Sequence, residues 1–548
     1  MFVVKIKMFI FAFVNKPVNQ PKHYMKLRFL KTVILAILPA GMMAQAEFRN
    51  PVIPGYHPDP SICRVGDTFY LVNSSFQYFP GVPLSESKDL VHWRHTANVL
   101  TDDAQLPLTG ASSWLGIYAP TIRYNDGTWY MITTNVGNGG NFMVTATAPR
   151  GPWSKPLWLK QQGIDPSLFF ENGKCYMCSN PGDAIWLCEI DARTGRQLTE
   201  SRMLWRGDGG RYPEGPHIYK KDGYYYLLIS EGGTELAHSI TVARSKNIYG
   251  PYESNPDNPI LTNCNRLGQS KQIQGTGHGD LVEDAQGKWW IVFLAYRNFG
   301  GSYHHLGRET CLAPVEWNDK GWPVVNGGQP IDTVMHAAAL PQADTAGFNE
   351  QLPDGKINKN EPYWMYIQNP ITDNYFFSNG SLVMKAHGTL TGNDRPSFLG
   401  VRQTSPQMTA ETELLLRKGC GADARAGLTV YQINDGHIDI CVSGSEQRRK
   451  VTVQARLKSM ESQNSVYVSG SRIRLRVSSD GLTYRFECSD DGGKTWKKIA
   501  EHNCMLVSTE VAGGFTGVTI GMFCEGDNAS ADFSMFRYRN MKQAADIQ

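Results

Sequence analysis

An all-β fold, a five-bladed β-propeller followed by a β-sandwich, is predicted by three features of this sequence. One hairpin pattern occurs five times before residue 300 at a single internal spacing. Strand-type alternation then continues to the C-terminus in a different rhythm, without the repeat. Helical periodicity does not recur anywhere along the chain.

Residues 1–46 are set apart from the fold. Met25 opens MKLRFLKTVILAILPAGMMAQA, in which Lys26, Arg28 and Lys31 precede an apolar run and Ala44-Gln45-Ala46 closes it. That is the order of a secretory signal peptide cleaved after Ala46, and the 24 residues before Met25 read as an upstream extension. An exported protein, periplasmic or extracellular, is therefore expected. Beyond the leader no apolar run reaches about 18 residues, so no membrane span is expected. With 54 basic against 51 acidic residues and no long run of either sign, nothing electrostatic calls for nucleic acid, and a neutral partner fits better.

The propeller is expected over 47–335. Its repeat is a Pro, a short apolar strand, a Gly turn and an aromatic ten residues after the Pro: Pro60 and Tyr70, Pro120 and Tyr130, Pro166 and Tyr176, Pro216 and Tyr226, with Asp280 and Trp290 as the fifth copy. A Gly stands seven residues in at Gly127, Gly173, Gly223 and Gly287, and six in at Gly66. Each copy reads as a β-hairpin. Intervals of 60, 46, 50 and 64 residues between the copies leave room for four strands apiece, the size of a propeller blade. The segments SKDLVHW, APRGPWS and SKNIYGPY rhyme between repeats and read as outer strands and edge turns.

Residues 336–346, rich in Ala, Pro and polar side chains, are read as a linker. Residues 347–548 carry alternating segments such as TAETELLL, AGLTVYQ and RIRLRVSS with Gly-rich turns, the pattern of one β-sandwich. The eleven cysteines are an odd number, so at least one thiol must stay free, and their spacing matches no zinc site. Cys175 and Cys178 form a C-x-x-C within a predicted strand, where opposite parity turns them to opposite faces; they read as small buried hydrophobes.

The residues just ahead of each repeat's first strand point at the central channel, and there the copies differ. Asp59 and Asp165 stand before their Pro, Glu214 one place further back, while Ala119 and the His278-Gly279 pair occupy the other two copies. Since Ala and Gly serve in related places, the fold does not require the acids. Like charges gathered on one axis raise the pKa of at least one of them, an arrangement that acid–base chemistry uses. Hydrolysis of a glycosidic bond needs one protonated and one ionised carboxylate across a pocket. Glu214 suits the proton donor and Asp59 the activation of water, with Asp165 tuning the acid. Their different blades favour the wider separation of inverting enzymes.

Taken together, NPVIPGYHPDPSICRVGDTFYLVNSSFQYFPGVPLSESKDLVHW, APTIRY, DPSLFF, EGPHIYKKDGYYYLLISEGGT, GTGHGDLVED and LGRETCLAPVEW resemble glycoside hydrolase family 43, particularly its β-xylosidases and α-L-arabinofuranosidases. The resemblance implies an exo-acting, inverting hydrolase of xylo- or arabino-oligosaccharides, with Asp59 as general base, Asp165 as the carboxylate that tunes the acid and Glu214 as general acid. It also implies that Arg308 holds sugar hydroxyls and that Phe76 is an aromatic wall of the pocket. Tyr118 stands where many relatives carry Trp, and Phe515 of AGGFTG stands where the sandwich of that branch sends an aromatic into the site. His278 is similar to a channel histidine that in some members lies beside a calcium or its waters, so calcium has a place while no cofactor is required; calcium prefers oxygen ligands, and His278 alone specifies no metal. Alternatives are another activity of the family on arabinan or galactan, the retaining five-bladed fructosidase group, whose E-C-P reads Glu214-Gly215-Pro216 here, and a carbohydrate-binding propeller without catalysis.

Overall fold

The computed structural model describes residues 46–341, 343–445 and 448–541. The predicted leader lies outside them but for its last residue, Ala46. Five antiparallel sheets follow in chain order, and each of the five copies opens one of them. The innermost strands are Ser61–Val65, Thr121–Asn125, Ile164–Glu171, Glu214–Lys221 and Ile273–Glu283, each paired with the next strand of its own blade.

Local backbone chemistry explains the ruler. In three hairpins the two turn residues both take positive φ: Asp126 and Gly127 (47° and 78°), Asn172 and Gly173 (50° and 75°), Asp222 and Gly223 (50° and 79°). This is the turn that matches strand twist, and it places Gly second. In the first blade Val65 pairs with Thr68 across a two-residue turn opened by Gly66 at φ 63°, so its glycine falls one place earlier. The aromatics at the end of the ruler fill the seams between blades. Tyr70 meets Trp129 at 4.6 Å, Tyr130 meets Phe170 at 4.8 Å, and Tyr226 meets Trp317 at 4.9 Å between ring centroids. Such rings bury large apolar areas, so the same residue that closes a hairpin also glues it to its neighbour.

A strand enters the first two residues of the segment expected as a linker, 336–346. Val334–Ala337 is a strand, paired antiparallel with Ala46–Arg49, so the N-terminal segment returns to the end of the propeller. A four-residue strand whose partner lies almost 300 positions away leaves no local trace in the sequence. Asn50 reinforces the return, donating to and accepting from the main chain of Leu312 at 2.9 Å each. The cysteine reading agrees with the structure: Cys175 packs with Met177 on one face of strand Lys174–Asn180, Cys178 with Tyr176 on the other. All eleven thiols are unpaired.

Two sheets built around Gln407–Leu416 and Arg425–Ile433 form the C-terminal sandwich. Every second residue of Gln407–Leu416 is buried, from Met408 to Leu416. The sandwich grips the propeller directly: Tyr366–Ile367 pairs with Tyr78–Phe79, and the Gln368 main-chain N–H donates to the Gln77 carbonyl at 2.8 Å. Its 508–517 loop reaches the propeller mouth, where Glu510 Oε2 accepts from the His304 N–H at 3.0 Å and Gly517 lies so close to Leu306 that a Cβ would sit 2.2 Å from its carbonyl oxygen. Phe515 is carried in by that loop.

Candidate active site

Asp59, Asp165, Glu214, Phe76, Tyr118, His278, Arg308 and Phe515 all line one pocket of about 60 Å³, together with Ala119, Ile164 and Thr234. The eight positions singled out in the sequence therefore converge. Backbone geometry brings them there. Asp59, Asp165, Gly215 and His278 take φ of 52°, 53°, 60° and 46°, one left-handed residue in or just ahead of each of four innermost strands. Pairing slips beside three of them, between Ile164 and Ser167, Glu214 and His217, and Gln274 and Gly279. Such bulges turn side chains toward a site, and left-handed backbone suits Gly, Asn and Asp best. In the fourth blade Gly215 takes the position of Asp59, with Glu214 one place further back as the sequence indicates; in the fifth blade His278, not Gly279, takes it.

Asp59 is 5% exposed and fully engaged. Arg308 Nη1 donates to its Oδ1 at 2.9 Å, and Ser74 Oγ donates to its Oδ2 at 2.5 Å. His278 Nδ1 lies 3.8 Å from Oδ1. Burial pushes the carboxyl up, but the Arg308 guanidinium, His278 and the Ser74 hydroxyl outweigh it and hold Asp59 below the ordinary carboxylate range. Arg308 is itself buried, so its ion pair is an interior one and not a surface contact.

Asp165 behaves in the opposite way. Burial, then the neighbouring charges of Glu214 and Asp59, push its carboxyl well up, and the Gly215 N–H, donating to Oδ2 at 3.2 Å, offsets only part of this. Of the two neighbouring carboxylates, Glu214 is the one whose charge most opposes ionisation of Asp165. Glu214 is the more open partner, its side chain 18% exposed.

Aromatic rings wall the pocket. Phe76 lies 5.0 Å from Tyr118 and 5.8 Å from Phe515, and the Arg308 guanidinium stands over both Phe rings at 5.5 and 5.7 Å. Arg308 Nη2 also donates to the Phe515 carbonyl at 3.1 Å, tying the sandwich loop to the base. Trp114, 45% exposed, packs edge-on against Phe515 at 4.7 Å. Tyr118 donates its hydroxyl to the Trp114 carbonyl at 2.7 Å, and burial raises its pKa to about 12.

Sequence reasoning missed Ser74, Trp114, Thr234 and His238. Ser74 and Thr234 lie in the quoted NSSFQYF and SEGGTE segments, but nothing in their spacing marked them. For calcium, no group of three or more His, Cys, Asp or Glu side chains among the described residues is placed to hold a metal. The carboxylates acting on His278 are Asp59, already paired with a guanidinium, and Glu214. The side chains at His278 thus do not fit a directly coordinated calcium.

A propeller mouth lined by carboxylates of opposed character, walled by rings and capped by a sandwich, is the architecture of a carbohydrate hydrolase. Comparison with known proteins agrees. Residues 48–323 match the model of glycosyl hydrolases family 43, and 357–539 match the beta xylosidase C-terminal concanavalin A-like domain. The chain belongs to glycoside hydrolase family 43. It is 38% identical over 520 residues to a non-reducing end alpha-L-arabinofuranosidase of Bacteroides ovatus, covering 91% of this chain and 96% of that one. A xylosidase/arabinosidase of Butyrivibrio fibrisolvens is 40% identical over 526 residues, covering 88% and 96%. The solved structure of a xylan beta-1,4-xylosidase from Bacillus halodurans superposes with a TM-score of 0.82 at 30% identity, covering 90% of this chain and 100% of that one. Among the described residues no helix is long and apolar enough to cross a membrane.

Proposed function

We propose that this glycoside hydrolase removes terminal xylose or L-arabinofuranose from xylo- or arabino-oligosaccharides with inversion at the anomeric carbon. The observation that carries the reading is the contrast within one pocket: Asp59 kept ionised by Arg308 and Ser74, facing Glu214 and an Asp165 that resists ionisation. A pocket closed on one side by Phe515 suits a chain end, and the activity named for the B. ovatus relative is of that kind.

In the proposed step Glu214 gives its proton to the glycosidic oxygen, and the electron pair of the breaking C–O bond passes to that oxygen, which leaves as an alcohol. Water attacks the opposite face of the sugar, and Asp59 takes the proton this water releases. Asp165, beside Glu214 and bonded to the Gly215 N–H, is the carboxylate that tunes the acid. Arg308, bonded to Asp59 and directed along the ring walls, orients the base and presents the remaining donor capacity of its guanidinium to sugar hydroxyls. These steps use protein groups and water alone. Release of nitrophenol from a nitrophenyl β-xyloside or α-L-arabinofuranoside tests the reading and separates the two sugars; turnover of neither would overturn it.

A further inference from the structure

His238 precedes the third strand of the fourth blade, Ser239–Ser245, and is fully buried, yet neither ring nitrogen has a hydrogen-bond partner. Buried polar groups are nearly always paired, so an imidazole with both nitrogens bare needs an explanation. Its Nε2 lies 3.4 Å from Glu214 Oε1. The ring is wedged in place. A Cβ on Gly277, in the innermost strand of the next blade, would lie 2.4 Å from three of its atoms, so that position admits only glycine while His238 stands there. The strand bearing Gly277 is itself anchored, because the His278 N–H donates to Ser230 Oγ at 2.5 Å.

We infer that His238 is a positioning residue for the proton donor, its Nε2–H forming a hydrogen bond to Glu214 Oε1 as Glu214 gives up its proton. The inference rests on Glu214 being the general acid. Before reaction a carboxylic acid is a weak acceptor, and 3.4 Å is a poor hydrogen bond. As the proton passes to the glycosidic oxygen, Oε1 gains negative charge, and a donor only 3.4 Å away can close to a charge-assisted contact of about 2.8 Å. His238 keeps its own proton throughout. The contact is stronger in the transition state than in the ground state, which is the kind that accelerates a reaction. His238 thus acts on Glu214 by receiving the carboxylate that remains once the proton has left.

The test compares phenyl and 2,4-dinitrophenyl glycosides of the preferred sugar, since the dinitrophenolate departs with little protonation. In the His238→Phe enzyme, kcat on the phenyl substrate should fall by about tenfold or more, while kcat on the dinitrophenyl substrate falls by no more than about threefold. His238→Gln, whose amide reaches the place of Nε2, should restore the phenyl rate better than His238→Asn, which does not reach it. Equal losses on both substrates, or Gln and Asn behaving alike, overturn the inference. Should the Phe variant fail to fold, the Gln and Asn pair decides it alone. Glu214→Gln in the same series shows a still steeper dependence on leaving group; a uniform loss there overturns the assignment of Glu214 itself, whatever His238 does.

Discussion

Two sides of one pocket, only a few residues apart in space, treat a carboxylate in contrary ways. Around Asp59 the protein supplies a guanidinium, a hydroxyl and an imidazole, and the acid is held ionised. Around Asp165 it supplies a second carboxylate and one main-chain N–H, and ionisation is opposed. Both residues share the left-handed backbone and the same place at the head of an inner strand. What separates base from acid machinery is therefore not the blade but its neighbours: Arg308 arrives from the fifth blade and Ser74 from the first, whereas Glu214 arrives from the fourth.

The largest expected effects fall on turnover. Glu214→Ala should lower kcat by about 10²- to 10⁴-fold with little change in thermal stability, and Asp59→Ala should do the same to kcat. Unchanged turnover in either variant, measured on an aryl glycoside, removes that residue from its role. The next effect distinguishes the two sides by stability. Asp59→Asn leaves Arg308 buried without its counter-charge, and breaking such a pair costs about 3–5 kcal/mol, so the melting temperature should fall.

Asp165→Asn should do the reverse, raising the melting temperature at pH 7 by about 1–3 °C while depressing activity. The sign follows from linkage. The folded pKa of Asp165 lies above its unfolded value, so the native protein holds a proton that the unfolded chain has released, and stability is lost as pH rises through the folded pKa. The advantage of the Asn variant should be widest at neutral and higher pH and should close as pH drops toward the ordinary carboxylate range. For Asp59 the folded pKa is depressed, so its contribution is present above the unfolded value and lost as pH falls through the folded one. Melting curves across pH for both variants check the pair together. The smallest effect belongs to the cap: Phe515→Ala should raise KM by roughly five- to tenfold with kcat largely kept, because the ring contributes wall and not chemistry.

How far the sequence spoke depended on whether a residue's role left a local mark. The blades were legible because a positive-φ turn demands Gly beside Asn or Asp, and because the seam between blades demands an aromatic at fixed distance, as at Tyr130 and Tyr226. Val334–Ala337 was not legible, since its strand character comes from a partner at the other end of the propeller. The carboxylates were found because they break the repeat, but in the fifth copy the alignment fell one residue late, because the bulge there gives His278 and not Gly279 the left-handed position. Ser74 and His238 carry no such break in pattern; each becomes visible only when the fold sets its polar atom beside an acid.

The account stands most directly on where the attacking water lies. In the proposed step Asp59 activates a water and does not itself attack the sugar, so the hydroxyl enters opposite the departing oxygen. Proton NMR of the sugar in the first minutes of hydrolysis, before mutarotation, reads this outcome. The account predicts an anomer inverted from that of the substrate; a retained anomer, formed through a covalent glycosyl–enzyme intermediate, would contradict it.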